Sequence, residues 1–175
     1  MPRKYQIFIS STYKDLIKER QQVVQIILRA GHIPAGMELF GQDDGEQWKV
    51  IKKWINESDI FIIMVKNRYG TICKGEHLSY THMEYEYAKE LNKPIIKVVF
   101  NEDIDAAECD NIEKLRAFRK EIMEDGVAGP ILNSVEMTQR ITDKIRDYTK
   151  QLNGGWCRYD EMKASYAETR YKFNV

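Results

Sequence analysis

No stretch of this 175-residue chain approaches the ~18 consecutive apolar residues that a membrane span needs. A membrane partner is therefore not expected. The opening decapeptide, MPRKYQIFIS, lacks the long apolar core of a secretory signal. Excess charge of either sign is missing too, since Lys+Arg and Asp+Glu number 27 each. That argues against a nucleic-acid partner recognised through a basic surface. Cysteine is scarce. Cys73, Cys109 and Cys157 are far apart, odd in number and form no CxxC pair, the pattern of reduced thiols in a cytoplasmic protein. His77, His82 and Glu86 form no dense ligand set, so no metal and no resident cofactor is expected. GxGxxG, GxxxxGK followed by Ser or Thr, and GxSxG are all absent, which disfavours a dinucleotide fingerprint, a P-loop NTPase and an α/β-hydrolase. Ser10 and Ser11 have no evident His–Asp partners, so a serine hydrolase is disfavoured as well. There is no internal repeat and no low-complexity segment.

What is present is an ordinary globular composition, 43% hydrophobic and 31% charged, with length for one domain and its core. KYQIFIS (4–10) reads as a strand. TYKDLIKERQQVVQIILRAG places Leu16, Ile17, Val23, Val24, Ile27 and Leu28 at helical spacing. Thr12 is a candidate N-cap with Asp15 three residues on, and Gly31 a candidate stop. HIPAGMELF (32–40) is a weaker strand. EQWKVIKKWINE (46–57) is an amphipathic helix with Trp48, Ile51, Trp54 and Ile55 on one face. DIFIIMVKN (59–67) is a continuous apolar run, the signature of a strand buried on both faces, and PIIKVVF (94–100) is another. SYTHMEYEYAKEL (79–91) is a helix between them, closed by Lys93-Pro94. Two more helices follow, IEKLRAFRKEIMEDG and SVEMTQRITDKIRDYTKQLN, the second with Ser134 as candidate cap. GPILNS between them is a candidate short edge strand.

This βαβαβαβ order predicts a three-layer α/β fold, a mainly parallel sheet flanked by helices, with 5–10, 59–66 and 94–100 as central strands. Residues 1–153 are expected to form a single domain. The tail 154–175 is expected either to pack back on it or to lead to an appended partner domain.

Ligands in open parallel sheets sit beyond the carboxyl ends of the strands. After the first strand come Ser10, Ser11 and Thr12, hydroxyls that can hold a phosphate or ribose or simply cap a helix. After the second come Met37 and Glu38. After the third come Asn67, Arg68, Tyr69 and Gly70, which read either as a cation and ring at a pocket mouth or as a turn with Gly70 at positive φ. On a wheel of ~100° per residue, Tyr80, Met83, Tyr87, Ala88 and Leu91 form an apolar stripe, and Glu84 lies inside it. His82 and Glu86 fall on the solvent side. A carboxylate turned toward the core must be paired, protonated or useful. A structural ion pair with Arg68 or Lys66 and a role in a site both remain open.

FISSTYKDLIKERQ, GHIPAGMELF, INESDIFIIMVKNRYG, SYTHMEYEYA and the closing GGWCRYD together resemble the bacterial domain of unknown function 4062 family, over about residues 4–160. Members of that family often stand at the N-terminus of larger proteins. The spacing of Thr81, Glu84 and Ala88 is more distantly similar to the GTxxExxxA helix of nucleoside deoxyribosyltransferases, whose glutamate is the nucleophile. It is also similar to the glutamate helix of Toll/interleukin-receptor (TIR) NAD-cleaving domains, and flavodoxin-like or TIR-like is the fold the resemblance implies. Tyr80 stands where the deoxyribosyltransferases have glycine, and Glu86 where they have a small residue.

The resemblance implies Glu84 as catalytic residue. It implies Ser10, Ser11 and Thr12 as the first pocket loop. Glu38, Arg68, Tyr69 and Ser79 are the further expected contacts to a nucleotide-type ligand, near the carboxyl ends of the strands. The expected activity is cleavage of an N-glycosidic bond of NAD or a nucleotide, with bacterial defence as a setting. A TIR-like interaction module without turnover, self-associating or joined to an effector domain, and a nucleotide-sensing domain are the alternatives.

Overall fold

The computed structural model describes residues 3–36, 47–101, 109–124, 126 and 129–157. Four strands, β1 (Gln6–Ser11), β2 (Ile33–Gly36), β3 (Ile60–Val65) and β4 (Ile95–Val99), alternate with α1 (Ile17–Arg29), α2 (Gln47–Glu57) and α3 (Tyr80–Glu90), and α4 (Ile112–Glu124) and α5 (Ser134–Gln151) follow. The strands lie in the order β2-β1-β3-β4, and every pairing is parallel. All six residues of β3 are buried, as its unbroken apolar run requires of a strand covered on both faces.

The twofold period of a strand sorts side chains between two cores. Ile7, Ile9, Ile60, Ile62, Met64, Ile96 and Val98 face α1 and α5. Phe8, Phe61, Ile63, Val65 and Val99 face α2, α3 and α4. Phe8 and Phe61 stack across neighbouring strands, with ring centroids 5.6 Å apart. The result is the expected three-layer α/β architecture.

Several local expectations are corrected. β4 is one of the two outer strands of the four rather than a central one. Among the described residues, a parallel bridge from Phe100 to Ile131 continues the sheet beyond it, and that bridge is what the GPILNS segment contributes. α1 begins at Ile17, with Leu16 as an N-cap that makes no side-chain bond. The Thr12 hydroxyl donates instead to Asp15. The other Asp15 oxygen accepts the backbone N–H groups of Asn67 and Arg68 at 3.0 and 3.1 Å. A pair that reads locally as a helix cap thus ties the loop after β1 to the loop after β3. Asn133, not Ser134, caps α5, accepting from the N–H groups of Val135 and Glu136. The expected second strand is observed as β2 for four residues, and its continuation, with Met37 and Glu38, lies outside the described residues.

Gly31, with φ of 83°, ends α1 as expected. At the far end of the domain, Lys4 and Trp156 form an antiparallel bridge. A Cβ on Gly155 would stand 2.9 Å from a Tyr5 ring carbon and 3.0 Å from the Lys4 carbonyl, so only glycine lets the chain pass there. Residues 158–175 lie outside the described residues. Among the described residues no helix is long and apolar enough to cross a membrane.

Candidate functional site

Strand parity decides what the two serines at the carboxyl end of β1 meet. Ser10 follows Phe8 onto the α2/α3/α4 face, and Ser11 follows Ile9 onto the α1/α5 face. The Ser10 hydroxyl donates to Glu84 Oε2 at 2.5 Å, with Ser10 1% and Glu84 3% exposed. Ser11 accepts from the buried Arg20 guanidinium at 2.5 Å and donates to the Thr12 carbonyl. The hydroxyls of Ser10, Ser11 and Thr12 therefore all make bonds within the protein. Three adjacent residues, one motif in the sequence, point to three different partners.

Glu84 reaches Ser10 because α3 is started and rolled by its surroundings. Ser79, fully buried, caps the helix by accepting the His82 N–H at 3.2 Å. Ser79, expected as a ligand contact, is the N-cap of α3. The buried face of α3 consists of Thr81, Glu84, Tyr85 and Ala88. It is rotated by roughly 80° from the stripe read on the wheel. Tyr80, Tyr87 and Leu91 only pack against the core from its margin. Tyr85 is fully buried and meets Phe118 of α4 edge-on, with centroids 5.7 Å apart. That contact with α4 leaves no mark within the 79–91 segment. Glu84 falls inside both arcs.

The loop after β3 completes the rim. Gly70 has φ of 94°. A Cβ there would come within 3.0 Å of Thr12 and within 3.7 Å of Ser79. Glycine thus lets this loop close on the loop after β1 and on the start of α3. Tyr69, expected at a pocket mouth, is 1% exposed and belongs to the core. Its hydroxyl lies 2.9 Å from His82 Nδ1, and burial, the largest cause, raises its pKa. Arg68 does stay at the surface, its guanidinium 3.2 Å from Asp110, with both side chains 27% exposed. Lys66 pairs with Glu19 at 3.3 Å. Among the described residues, Asn67 Oδ1 is the buried side-chain oxygen with no hydrogen-bond partner.

The family model described as "Domain of unknown function (DUF4062)" matches residues 6–148. The chain belongs to the DUF4062 family. No curated protein matches it. Among solved structures, a CMP N-glycosidase from Clostridium botulinum aligns with a TM-score of 0.45 and 18% identity, over 82% of this chain and 98% of that one. A prokaryotic SEFIR domain aligns with a TM-score of 0.40 and 15% identity, over 74% and 99% of the two chains. At those scores neither likeness bears on the chemistry of this DUF4062 chain.

A second polar cluster in this DUF4062 fold was not legible in the sequence. His82, placed on the solvent side by the wheel, stacks on Phe118 at 4.1 Å and lies 3.1 Å from Glu121. His82, Glu86 and Glu121 each bring one ligand-type atom within 4.8 Å of the others. Glu121 comes from α4, so no spacing along α3 could have announced it. Lys89 supplies the cation, 3.2 Å from Glu86 and 3.4 Å from Glu121.

Burial is the largest cause lowering the His82 pKa. Lys89 and Lys114 also lower it, against an upward pull from Glu86. A neutral ring fits the contacts: Nδ1 accepts from Tyr69, and Nε2–H donates to Glu121. The folded protein then binds fewer protons than the unfolded chain once pH falls below the ordinary histidine value of about 6.5. Stability should fall with pH from there down through the lowered value. Urea unfolding at pH 7 and pH 5.5 should show this loss, smaller in His82→Gln. His32, whose pKa is lowered first of all by burial, adds a loss of the same sign that the variant retains.

Two surface cavities lie away from Glu84. One, of about 490 Å³, runs along the outer side of α3 past Trp48, Met83 and Tyr87. The other, of about 580 Å³, lies beside β4 and is lined by Lys93, Lys97, Arg140 and Lys144 among others.

Proposed function

We propose that this domain cleaves an N-glycosidic bond of NAD or another nucleotide, with Glu84 as the catalytic carboxylate. One observation carries the reading. An acidic side chain, 3% exposed, stands at the carboxyl end of a central parallel strand and is held there by Ser10. That end of the sheet is where α/β folds place ligands. The chemistry matches the residue type. As the bond from the ribose C1′ to the base nitrogen breaks, its electron pair leaves with the base and C1′ becomes oxocarbenium-like. A Glu84 oxygen stabilises that centre or bonds to it, and water then takes its place on C1′, losing a proton to solvent. In NAD the nicotinamide nitrogen is already cationic, so the base leaves neutral without a strong general acid. Because Glu84 is nearly covered, a substrate must displace the side chains above it to reach the carboxylate.

Arg68 fits the same reading. Its guanidinium lies at the rim, where it can meet a phosphate. Arg68→Ala is expected to weaken nucleotide binding about tenfold by titration calorimetry. Breaking its partly exposed pair with Asp110 should cost about 1 kcal/mol of stability. A sharp fall in melting temperature with nucleotide binding intact would remove Arg68 from the site.

The test of the activity is direct. Purified protein is incubated with NAD and a panel of nucleotides and nucleosides, and free base is measured chromatographically. Release from at least one is expected; no release from any overturns the proposal.

A further inference from the structure

Ser10 is the residue at which the sequence and the structure part most usefully. Read along the chain, it belongs to a hydroxyl cluster suited to hold a phosphate or ribose. A serine has one O–H to donate, and in the structure that hydrogen goes to Glu84 Oε2 at 2.5 Å. Both groups are buried, where a hydrogen bond to a charged oxygen is strongest. Ser10 is also held firmly. It lies in β1, in register with Ile63 of β3, inside the sheet rather than on a mobile loop. A glutamate has three side-chain torsions to fix, and a donor on a rigid strand fixes them better than one on a loop.

We infer that Ser10 is a positioning residue for Glu84: it orients the carboxylate and favours its ionised form, rather than contacting the ligand. The inference rests on the glycosidic reading for its catalytic meaning, while the Ser10–Glu84 bond stands apart from it. A hydrogen bond given to a carboxylate stabilises the charged state and lowers its pKa. An ionised, oriented oxygen is what attack on an oxocarbenium-like C1′ requires. A serine that bound the ligand instead would act mainly through KM.

The test compares Ser10→Ala, which removes the donor, with Ser10→Thr, which keeps it. For Ser10→Ala, kcat should fall about 10- to 100-fold with KM little changed. The acid limb of its kcat–pH profile should move up. Ser10→Thr should restore both. If Ser10→Ala does not fold, Ser10→Cys, whose thiol is a weak donor, takes its place. Carbon-13 NMR titration of the Glu84 carboxyl in the unliganded protein gives a second readout, in which the same upward shift is expected. A rise in KM alone, or an unmoved acid limb and Glu84 titration, would overturn the inference. If the wild type releases no base from any substrate, the glycosidic proposal fails. The carboxyl titration then still decides whether Ser10 governs Glu84.

Discussion

Glu84→Gln is expected to lower base release by about 10³-fold or more while leaving the fold intact. Glutamine keeps the volume of the side chain, and its carbonyl can still accept from the Ser10 hydroxyl that meets Glu84 Oε2. What it lacks is the negative charge that an oxocarbenium-like centre needs. Burial alone does not separate a catalytic carboxylate from a structural one, since both would be nearly covered. Charge does. If Glu84 served only as one half of a buried ion pair, removing its charge would cost about 3–5 kcal/mol of stability. Thermal unfolding and base release measured on the same variant distinguish the cases. A destabilised variant that still cleaves would end the catalytic assignment.

The largest effect on stability is expected from Tyr85→Ala. Its ring is fully buried and packs edge-on against Phe118. Emptying such a site costs about 3–5 kcal/mol, which for a chain of this length lowers the melting temperature by roughly 10 °C. Met83, half-buried at the edge of the outer cavity, should lose no more than about 1 kcal/mol on replacement by alanine. Circular dichroism melts of the two variants give the comparison. Equal losses, or the reverse order, would mean that α3 is rolled as the wheel drew it.

Much of the architecture was legible because it depends on local pattern. The apolar run Ile60–Val65 reads as a strand covered on both faces, PIIKVVF with its single Lys97 reads as another strand, and alternation of such runs with helical periods implies a parallel sheet. β4 was misplaced for the same reason. An apolar run reports burial of its faces but says nothing about its edges, and β4, an edge strand of the four, is met beyond its end among the described residues by Ile131. Thr12 and Asp15 were misread because an N-cap box and a tie between two loops use the same residue types. Which one forms depends on whether another loop offers free N–H groups, here those of Asn67 and Arg68. Tyr69 was misread because an aromatic ring beside an arginine in a loop carries no local sign of the Phe118 and His82 side chains that enclose it.

The candidate site divides along the same line. By itself the sequence determined that Glu84 would turn inward, because a helix repeats every 3.6 residues, and that Ser10 would end an apolar strand. It determined that both would lie near the carboxyl ends of a parallel sheet's strands, because every strand in such a sheet ends on the same side. Only the tertiary structure decided that Ser10, and not Ser11 or Thr12, faces the carboxylate. That choice follows from which helices cover which face of β1. With α3 over the Phe8 face and α1 over the Ile9 face, the two-residue period of the strand sends one hydroxyl to Glu84 and the next to Arg20. Residues 74 positions apart are then in contact, by a register that no local spacing encodes.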